Sequence, residues 1–219
     1  MPIPLPAQNS AFGDRYQGGA RPEVRFYFDI VCPYAYLAST QIDGFAERLG
    51  VRLDHRPILL GGVLKSLASE PADGPQVKQA MTRIDLARWA EHFGVELRFP
   101  AEHPRRTVEA MRLLTWAPRL SVPALMAALY RAYWVQGRDI ADVEVLIDIA
   151  ESVGLPRSDA QRGILSPAVS QELRRRTDAA IADGVFGVPT FIVEGESGPR
   201  LFFGQDRLHF VEEAVRSHP

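Results

Sequence analysis

The only thiol of the chain, Cys32, stands where a strand-like segment gives way to a helix-like one. Residues 24–31 alternate apolar and polar side chains, which predicts a strand, and Pro33 occupies a position that the first turn of a helix tolerates. A cysteine there faces free backbone N–H groups and the positive end of the helix dipole. Both favour the thiolate, so the sequence predicts a depressed pKa for Cys32. A buried structural cysteine is the alternative interpretation.

Three further segments carry groups that suit a peptide-like ligand. Pro189 directly precedes a predicted strand, and a cis Val188–Pro189 bond would leave the N–H and C=O of Val188 able to pair with an extended ligand. An X–Pro bond by itself is seldom cis, so this expectation depends on the family resemblance given below. Gln205 and Asp206, at a predicted helix start, suit an ammonium and a carboxylate, although a plain turn with a helix cap explains them as well. Lys65 is suited to a ligand carboxylate, although a solvated surface lysine is the usual explanation for a lone lysine.

The composition narrows the classes of function. The net charge of −2 gives no reason to expect nucleic acid or an anionic membrane as partner, and no apolar run reaches membrane-spanning length. One cysteine allows neither an intramolecular disulfide nor a cysteine-based zinc cluster, and the five histidines are scattered, so we expect no metal site. The first residues lack the pattern of a secretory signal peptide. A cytoplasmic location is the simplest expectation.

The pattern along the chain predicts one domain interrupted by a helical insertion. Residues 1–22 are rich in proline, glycine and polar side chains and are expected to be a flexible tail. The order strand–helix–strand, then strand–strand–helix, predicts a thioredoxin-like domain made of residues 23–65 and 184–219. Residues 66–183 are expected to be all helical. The elements predicted after the first strand are helix 33–49, strand 51–58, helices 85–93, 107–114, 121–135, 139–153 and 167–182, strands 190–193 and 201–203, and a last helix capped by Asp206.

Five segments carry a resemblance to a known family. They are FDIVCPYAYLAS, PILLGGVLK, RIDLARWAEHFGVELRFP, GVFGVPTF and FFGQDRL, and their order and spacing run from about Val24 to Val215. Together they resemble the family of 2-hydroxychromene-2-carboxylate isomerases and kappa-class glutathione transferases, a branch of the DsbA-like thioredoxin superfamily. The resemblance implies an α/β, thioredoxin-like fold with a large all-helical insertion, and a homodimer.

The resemblance also implies a bound glutathione. Its γ-glutamyl group would lie near Gln205 and Asp206, and its cysteinyl backbone would pair with Val188 beside Pro189. Its glycine carboxylate would lie near Lys65, and its sulfur would face the start of the first helix. In the isomerases of this family, the glutathione thiolate adds to a small aromatic-derived carboxylate, allows rotation about a former double bond, and leaves again.

Cys32 departs from the family pattern, which usually has serine at this position. A thiol is a weaker hydrogen-bond donor than a hydroxyl, and it is able to form a mixed disulfide with glutathione. Ala35 stands where dithiol oxidoreductases have their second cysteine, which excludes a dithiol cycle within one chain. The aromatic side chains Tyr34, Tyr36 and Trp116 suit either a substrate pocket or the core.

Three functions are therefore compared. A glutathione-dependent isomerase is the leading one, and it predicts that Cys32→Ser keeps activity. A monothiol oxidoreductase or glutathione transferase with Cys32 as nucleophile predicts that the same change abolishes turnover. A non-catalytic binding protein predicts ligand binding without turnover.

Overall fold

Four strands form one mixed sheet in the computed structural model, which describes residues 22–68, 76–195 and 198–217. The predicted tail lies outside the described residues, apart from Pro22. In chain order the strands are β1 (Glu23–Phe28), β2 (Arg52–Pro57), β3 (Thr190–Val193) and β4 (Arg200–Phe203). Their spatial order is β2-β1-β3-β4, with β2 parallel to β1 and the other pairs antiparallel.

Helices flank the sheet and fill the stretch between β2 and β3. They are α1 (Pro33–Leu49), α2 (Leu60–Ser66), α3 (Gln76–Phe93), α4 (Val108–Trp116), α5 (Val122–Trp134), α6 (Val143–Ser152), α7 (Arg157–Leu165), α8 (Pro167–Ala182) and α9 (Leu208–Arg216). We call α3–α8 the helical block. Single 3₁₀ turns at Arg119–Ser121 and Gln205–Arg207 precede α5 and α9.

The unit β1–α1–β2 follows directly from the sequence. Val24, Phe26 and Phe28 of β1 are fully buried, as the period of two predicts. Proline at the first position starts α1, and Gly50 ends it in the left-handed conformation with φ of 67°. This unit places Cys32 at the junction between the end of β1 and the start of α1.

The antiparallel pairing of β1 with β3 decides what faces this junction. The C-terminal end of β1 and the N-terminal end of β3 lie next to each other at one end of the strands, since Tyr27 pairs with Thr190. The segment just before β3 is therefore brought to the segment just after β1. Phe203, at the end of β4, pairs with Thr190 and lies at the same end of the sheet.

The helical block packs against the sheet through buried aromatic side chains and polar contacts. Tyr130 and Trp134 of α5 are almost completely buried. The backbone N–H of Leu59, just before α2, donates to Thr177 Oγ1 on α8 at 3.1 Å. Arg25 of β1 pairs with Asp183, just after α8, at 2.9 Å. These two contacts tie the segment before α2 and strand β1 to the last helix of the block and the residue that follows it.

Some helix boundaries differ from those that the pattern predicts. Helices α2 and α7 were not predicted, because Gly61, Gly62 and Gly163 are typical of loops when tertiary contacts are unknown. Helix α3 begins at Gln76, nine residues before the predicted start at residue 85. The predicted role of Asp206 as a helix cap is wrong: it lies inside a 3₁₀ turn, and α9 begins only at Leu208.

Candidate active site

Cys32 lies at the N-cap position of α1 with its thiol turned toward the segment before β3. Its Sγ donates a hydrogen bond to the Val188 carbonyl oxygen at 3.1 Å. Its backbone N–H donates to the carbonyl oxygen of Asp29 at 3.1 Å, which closes a tight turn between β1 and α1. The side chain is 8% exposed, so the sulfur lies at the floor of the site rather than on its surface.

Burial raises the pKa of the Cys32 thiol to about 12, with a smaller contribution in the same direction from the negative charge of Asp29. The backbone N–H groups of Ala35 and Tyr34 lower this pKa, but by less than burial raises it. The predicted depression of the Cys32 pKa is therefore wrong. The helix terminus acts as expected, but loss of water around the sulfur outweighs it. At neutral pH the thiol is a neutral hydrogen-bond donor.

Val188 and Pro189 form the wall opposite Cys32. The Val188–Pro189 peptide bond is cis. The carbonyl of Pro189 accepts from the N–H of Gly204 at 3.0 Å, which ties this loop to the end of β4. Within the described part of the chain, the Val188 N–H has no hydrogen-bond partner, so it is free to pair with an extended ligand.

Two exposed phenylalanine side chains border this loop. The rings of Phe186 and Phe203 have centroids 4.6 Å apart, and they are 47% and 43% exposed. Gly187 lies between them and Val188, and a Cβ at this glycine would come within 2.8 Å of the Phe203 ring. Glycine at 187 is therefore what lets the aromatic ring lie flat against the loop.

Gln205 and Asp206 follow Gly204, whose φ of 112° turns the chain toward α1. Gln205 is 6% exposed, and the Asp206 carboxylate pairs with Arg207 at 2.6 Å. Both residues line one end of a groove of about 510 Å³ that runs along α1 between α3 and α9. The groove is lined further by Thr40, Gln41, Gly44, Phe45, Arg48, Trp89, Phe93, Leu208, His209 and Glu212.

Lys65 stands apart from the other candidate residues. It lies near the end of α2 with an exposed side chain, and no described contact joins it to Cys32 or Val188. Its helix begins beside the site, since the N–H of Leu60 donates to Asp29 Oδ2 at 2.9 Å. The structure thus brings Cys32, Val188 and Pro189 together, and it links Gln205 and Asp206 to them through Gly204.

Two acidic residues near the site were not recognised in the sequence. Asp29 is buried beneath Cys32, and its carboxylate accepts from the N–H groups of Val31 and Leu60. Burial raises the pKa of this carboxyl. Asp85 on α3 accepts a hydrogen bond from the Tyr34 hydroxyl at 3.1 Å. An acidic residue directly after the apolar end of β1 is a signal for the first, whereas no local pattern reveals the second.

The other two aromatic candidates belong to the packing of the protein. Tyr36 is 7% exposed, and its hydroxyl donates to the Glu96 carbonyl at 2.7 Å. Trp116 packs against Gly163 so closely that a Cβ there would lie 2.3 Å from the indole. Among these three candidates, Tyr34 is the one whose side chain hydrogen-bonds a carboxylate near the site.

Comparison with known proteins identifies the family. The profile of the DSBA-like thioredoxin domain matches residues 23–216. The chain belongs to the DSBA-like thioredoxin family. The predicted α/β, thioredoxin-like fold with helical insertion is confirmed.

Relatives of this DSBA-like protein place it in one branch. The 2-hydroxychromene-2-carboxylate isomerase of Sphingobium xenophagum is 31% identical over 194 residues, which cover 86% of this chain and 95% of the relative. Glutathione S-transferase kappa 1 of Homo sapiens is 25% identical over 200 residues, which cover 86% and 88%. A solved structure of 2-hydroxychromene-2-carboxylate isomerase is 28% identical with a TM-score of 0.78, covering 89% and 94%. The predicted branch of isomerases and kappa-class transferases is confirmed.

Among the residues that the structure describes, no helix of this DSBA-like protein has both the length and the apolar content needed to cross a bilayer. The same residues contain no group of three His, Cys, Asp or Glu side chains arranged to hold a metal ion.

Proposed function

We propose that the protein is a glutathione-dependent isomerase that acts on a small aromatic-derived carboxylate, as 2-hydroxychromene-2-carboxylate isomerase does. Its relatives are isomerases and glutathione transferases, which supports an enzyme of this branch. The observation that carries the finer proposal is the neutral, buried thiol of Cys32 at the N-terminus of α1, 3.1 Å from the Val188 carbonyl.

The residues of the site fit a glutathione molecule. The unpaired N–H of Val188 suits the backbone of the cysteinyl residue, as in a short antiparallel pairing. Gln205 and Asp206 line a groove that offers a carboxylate for the γ-glutamyl ammonium. Lys65, exposed in the last turn of α2, is our candidate for the glycine carboxylate, on the strength of the family and of its charge. We assign these residues and Pro189 to glutathione binding.

Bound glutathione supplies a thiolate that adds reversibly to the substrate. The chain's part is to hold that sulfur beside α1 and to favour its ionised form. The Cys32 S–H donates to the Val188 carbonyl in the ligand-free site, and it would turn to the glutathione sulfur when glutathione is bound. The N–H groups of Tyr34 and Ala35 face the Cys32 sulfur at the same end of α1. Preorganised donors of this kind stabilise a negative charge where water is excluded. Cys32 therefore has the role of the usual serine of the family.

The raised pKa of Cys32 separates this proposal from its alternative. A monothiol oxidoreductase, or a transferase that uses Cys32 as its nucleophile, needs a thiolate at this residue. Burial disfavours that thiolate, because it raises the pKa to about 12.

We also propose that the protein is a homodimer and lies in the cytoplasm, on the strength of the family. Light scattering after size-exclusion chromatography tests the dimer.

The decisive experiment compares wild type with Cys32→Ser and Cys32→Ala. Conversion of 2-hydroxychromene-2-carboxylate is followed by absorbance with and without glutathione. We expect glutathione-dependent turnover in wild type, similar turnover in the serine variant, and a loss of about tenfold or more in the alanine variant, which lacks the donor. The proposal is wrong if Cys32→Ser abolishes turnover, or if the wild type binds glutathione but converts no substrate.

Intact mass after incubation with oxidised glutathione gives a second readout. An isomerase with a neutral Cys32 forms little or no adduct at pH 7. Rapid addition of one glutathione to wild type, absent in Cys32→Ser, would favour the monothiol alternative.

A further inference from the structure

One backbone carbonyl at the site is shared between the reacting end of α1 and the helical block. The carbonyl oxygen of Asp29 accepts from the Cys32 N–H at 3.1 Å and from the Tyr130 hydroxyl at 3.2 Å. The next carbonyl along the chain, that of Ile30, accepts from Trp134 Nε1 at 2.8 Å. Tyr130 and Trp134 lie one turn apart on α5, so one face of one helix holds both carbonyls of the turn.

We infer that Tyr130 and Trp134 are positioning residues, which hold the turn 29–32 so that Cys32 Sγ faces Val188. The inference rests on the proposed function only in taking Cys32 as the centre of the site. Neither residue belongs to the predicted ligand-binding set. They act through the backbone carbonyls of Asp29 and Ile30, from a helix about a hundred residues further along the chain.

The packing around α5 supports a directed contact rather than general burial. The Tyr130 ring packs beside Phe28 and Tyr36, with centroid separations of 6.3 Å and 5.6 Å, and its hydroxyl projects beyond both rings to the turn. A phenylalanine would fill the same volume, so the hydroxyl is not required for packing. Its nearness to Cys32 is also evident in the pKa of Tyr130, which burial raises and the Cys32 sulfur raises further.

The same helix provides a matched control. Tyr133 is also buried, but its hydroxyl bonds His103 Nδ1 at 2.9 Å and accepts from the Arg105 N–H at 3.1 Å, away from the turn. Tyr130→Phe and Tyr133→Phe therefore remove the same chemical group from the same helix. Only the first removes a contact to the turn that carries Cys32.

The test uses the single cysteine of the chain as a reporter. The rate of Cys32 alkylation by iodoacetamide is measured by intact mass on the folded full-length protein between pH 8 and pH 10, with circular dichroism and thermal melting as checks of folding. We expect Tyr130→Phe to raise the rate about five- to tenfold, the size expected for the loss of one internal hydrogen bond. Tyr133→Phe should stay within about twofold of wild type.

A merely structural role predicts a different result. If Tyr130 only stabilises the fold, both variants lower the melting temperature and alter the alkylation rate equally, which would overturn the inference. An unchanged rate in Tyr130→Phe would also overturn it. Trp134→Phe is the second variant, and we expect it to raise the rate in the same direction as Tyr130→Phe.

Glutathione binding by wild type, measured by calorimetry, keeps the two proposals distinct. Its absence would refute the glutathione-dependent function and leave the comparison of alkylation rates unaffected. Its presence with equal alkylation rates in all variants would refute the positioning role alone.

Discussion

The Tyr34 hydroxyl, on the first turn of α1, donates a hydrogen bond to a carboxylate oxygen of Asp85 on α3 at 3.1 Å. This bond joins the helix that begins at Cys32 to the helical block, across 51 residues of sequence. Burial raises the pKa of the Tyr34 phenol, and the bond to Asp85 raises it further. The phenol therefore stays protonated and keeps its role as a donor over the whole physiological range.

A double-mutant cycle measures this link. We expect Tyr34→Phe and Asp85→Asn to show a coupling in the free energy of unfolding of about 1 kcal/mol, the size of a hydrogen bond in a partly exposed place. Urea unfolding of the four proteins gives the value. Tyr34→Phe combined with Asp142→Asn, which alters a distant helix cap, should show no coupling. A coupling below about 0.3 kcal/mol between Tyr34 and Asp85 would contradict the bond.

The raised pKa of Cys32 predicts a loss of stability in alkali. The unfolded thiol ionises near pH 9.0, whereas the folded thiol resists until about pH 12. The stabilising contribution is complete below pH 9 and is lost as the pH rises toward 12, because only the unfolded state releases its proton in this range. Between about pH 8 and pH 10.5 we expect a decrease of about 2 kcal/mol in the free energy of unfolding from this residue.

Cys32→Ser is the control for this titration, because serine does not ionise in the range. Urea unfolding at several pH values should show a steeper alkaline decline in wild type than in the serine variant. Parallel curves would show that the native thiol ionises as readily as the unfolded one.

A side chain at position 187 should weaken glutathione binding, and a second substitution at Phe203 should restore it. In Gly187→Ala the new Cβ meets the Phe203 ring, so either the ring or the Val188 loop must move. We expect glutathione affinity, measured by calorimetry, to fall about tenfold, because the loop positions the pairing N–H of Val188. Phe203→Leu in the same chain should restore most of the affinity by making room.

Phe210→Leu is the matched control, since Phe210 and Phe203 are both 43% exposed. It should not restore binding to Gly187→Ala. If it does so as well as Phe203→Leu, or if Gly187→Ala binds glutathione normally, the steric explanation fails.

His55 predicts a loss of stability in acid. Its Nε2 is buried and has no hydrogen-bond partner among the described residues, and the ring lies edge-on to Phe26 and Phe28. Burial lowers the pKa of His55 below 6.5. The free energy of unfolding is highest above about pH 6.5, where His55 is neutral in both the folded and the unfolded protein. It declines as the pH falls toward and through the lower pKa that His55 has in the folded protein, because the unfolded state takes up the proton first. His55→Leu should flatten the decline in the free energy of unfolding between about pH 7 and pH 5.

His92 is exposed, and His92→Leu serves as the control. The decline between about pH 7 and pH 5 should flatten more in His55→Leu than in His92→Leu. A wild-type curve that is flat through this range would contradict the assignment to His55.

Local patterns predicted the parts of the fold that depend on local chemistry. The alternation in β1, the proline and glycine that bound α1, and the limits of α8 and β3 are all readable from neighbouring residues. Helix α2 was not predicted, because its two glycines are poor helix formers and the contact that fixes its start is not local. The N–H of its first residue donates to the distant Asp29 carboxylate. The pKa of Cys32 was predicted in the wrong direction for a related reason. The dipole of α1 is a local property, but burial of the sulfur depends on distant residues such as Val188.

The contact between the segment after β2 and α8 bears on how the helical block is able to vary. Because Leu59 and Thr177 are hydrogen-bonded, the segment that follows β2 lies against α8, the helix that leads back to β3. A segment attached in this way behaves as a cassette, whose inner surface is free to diverge while the strands beneath it keep their order. Changes on the inner surface of the cassette are therefore compatible with an unchanged sheet, provided that the contacts of α5 to the turn before Cys32 are retained.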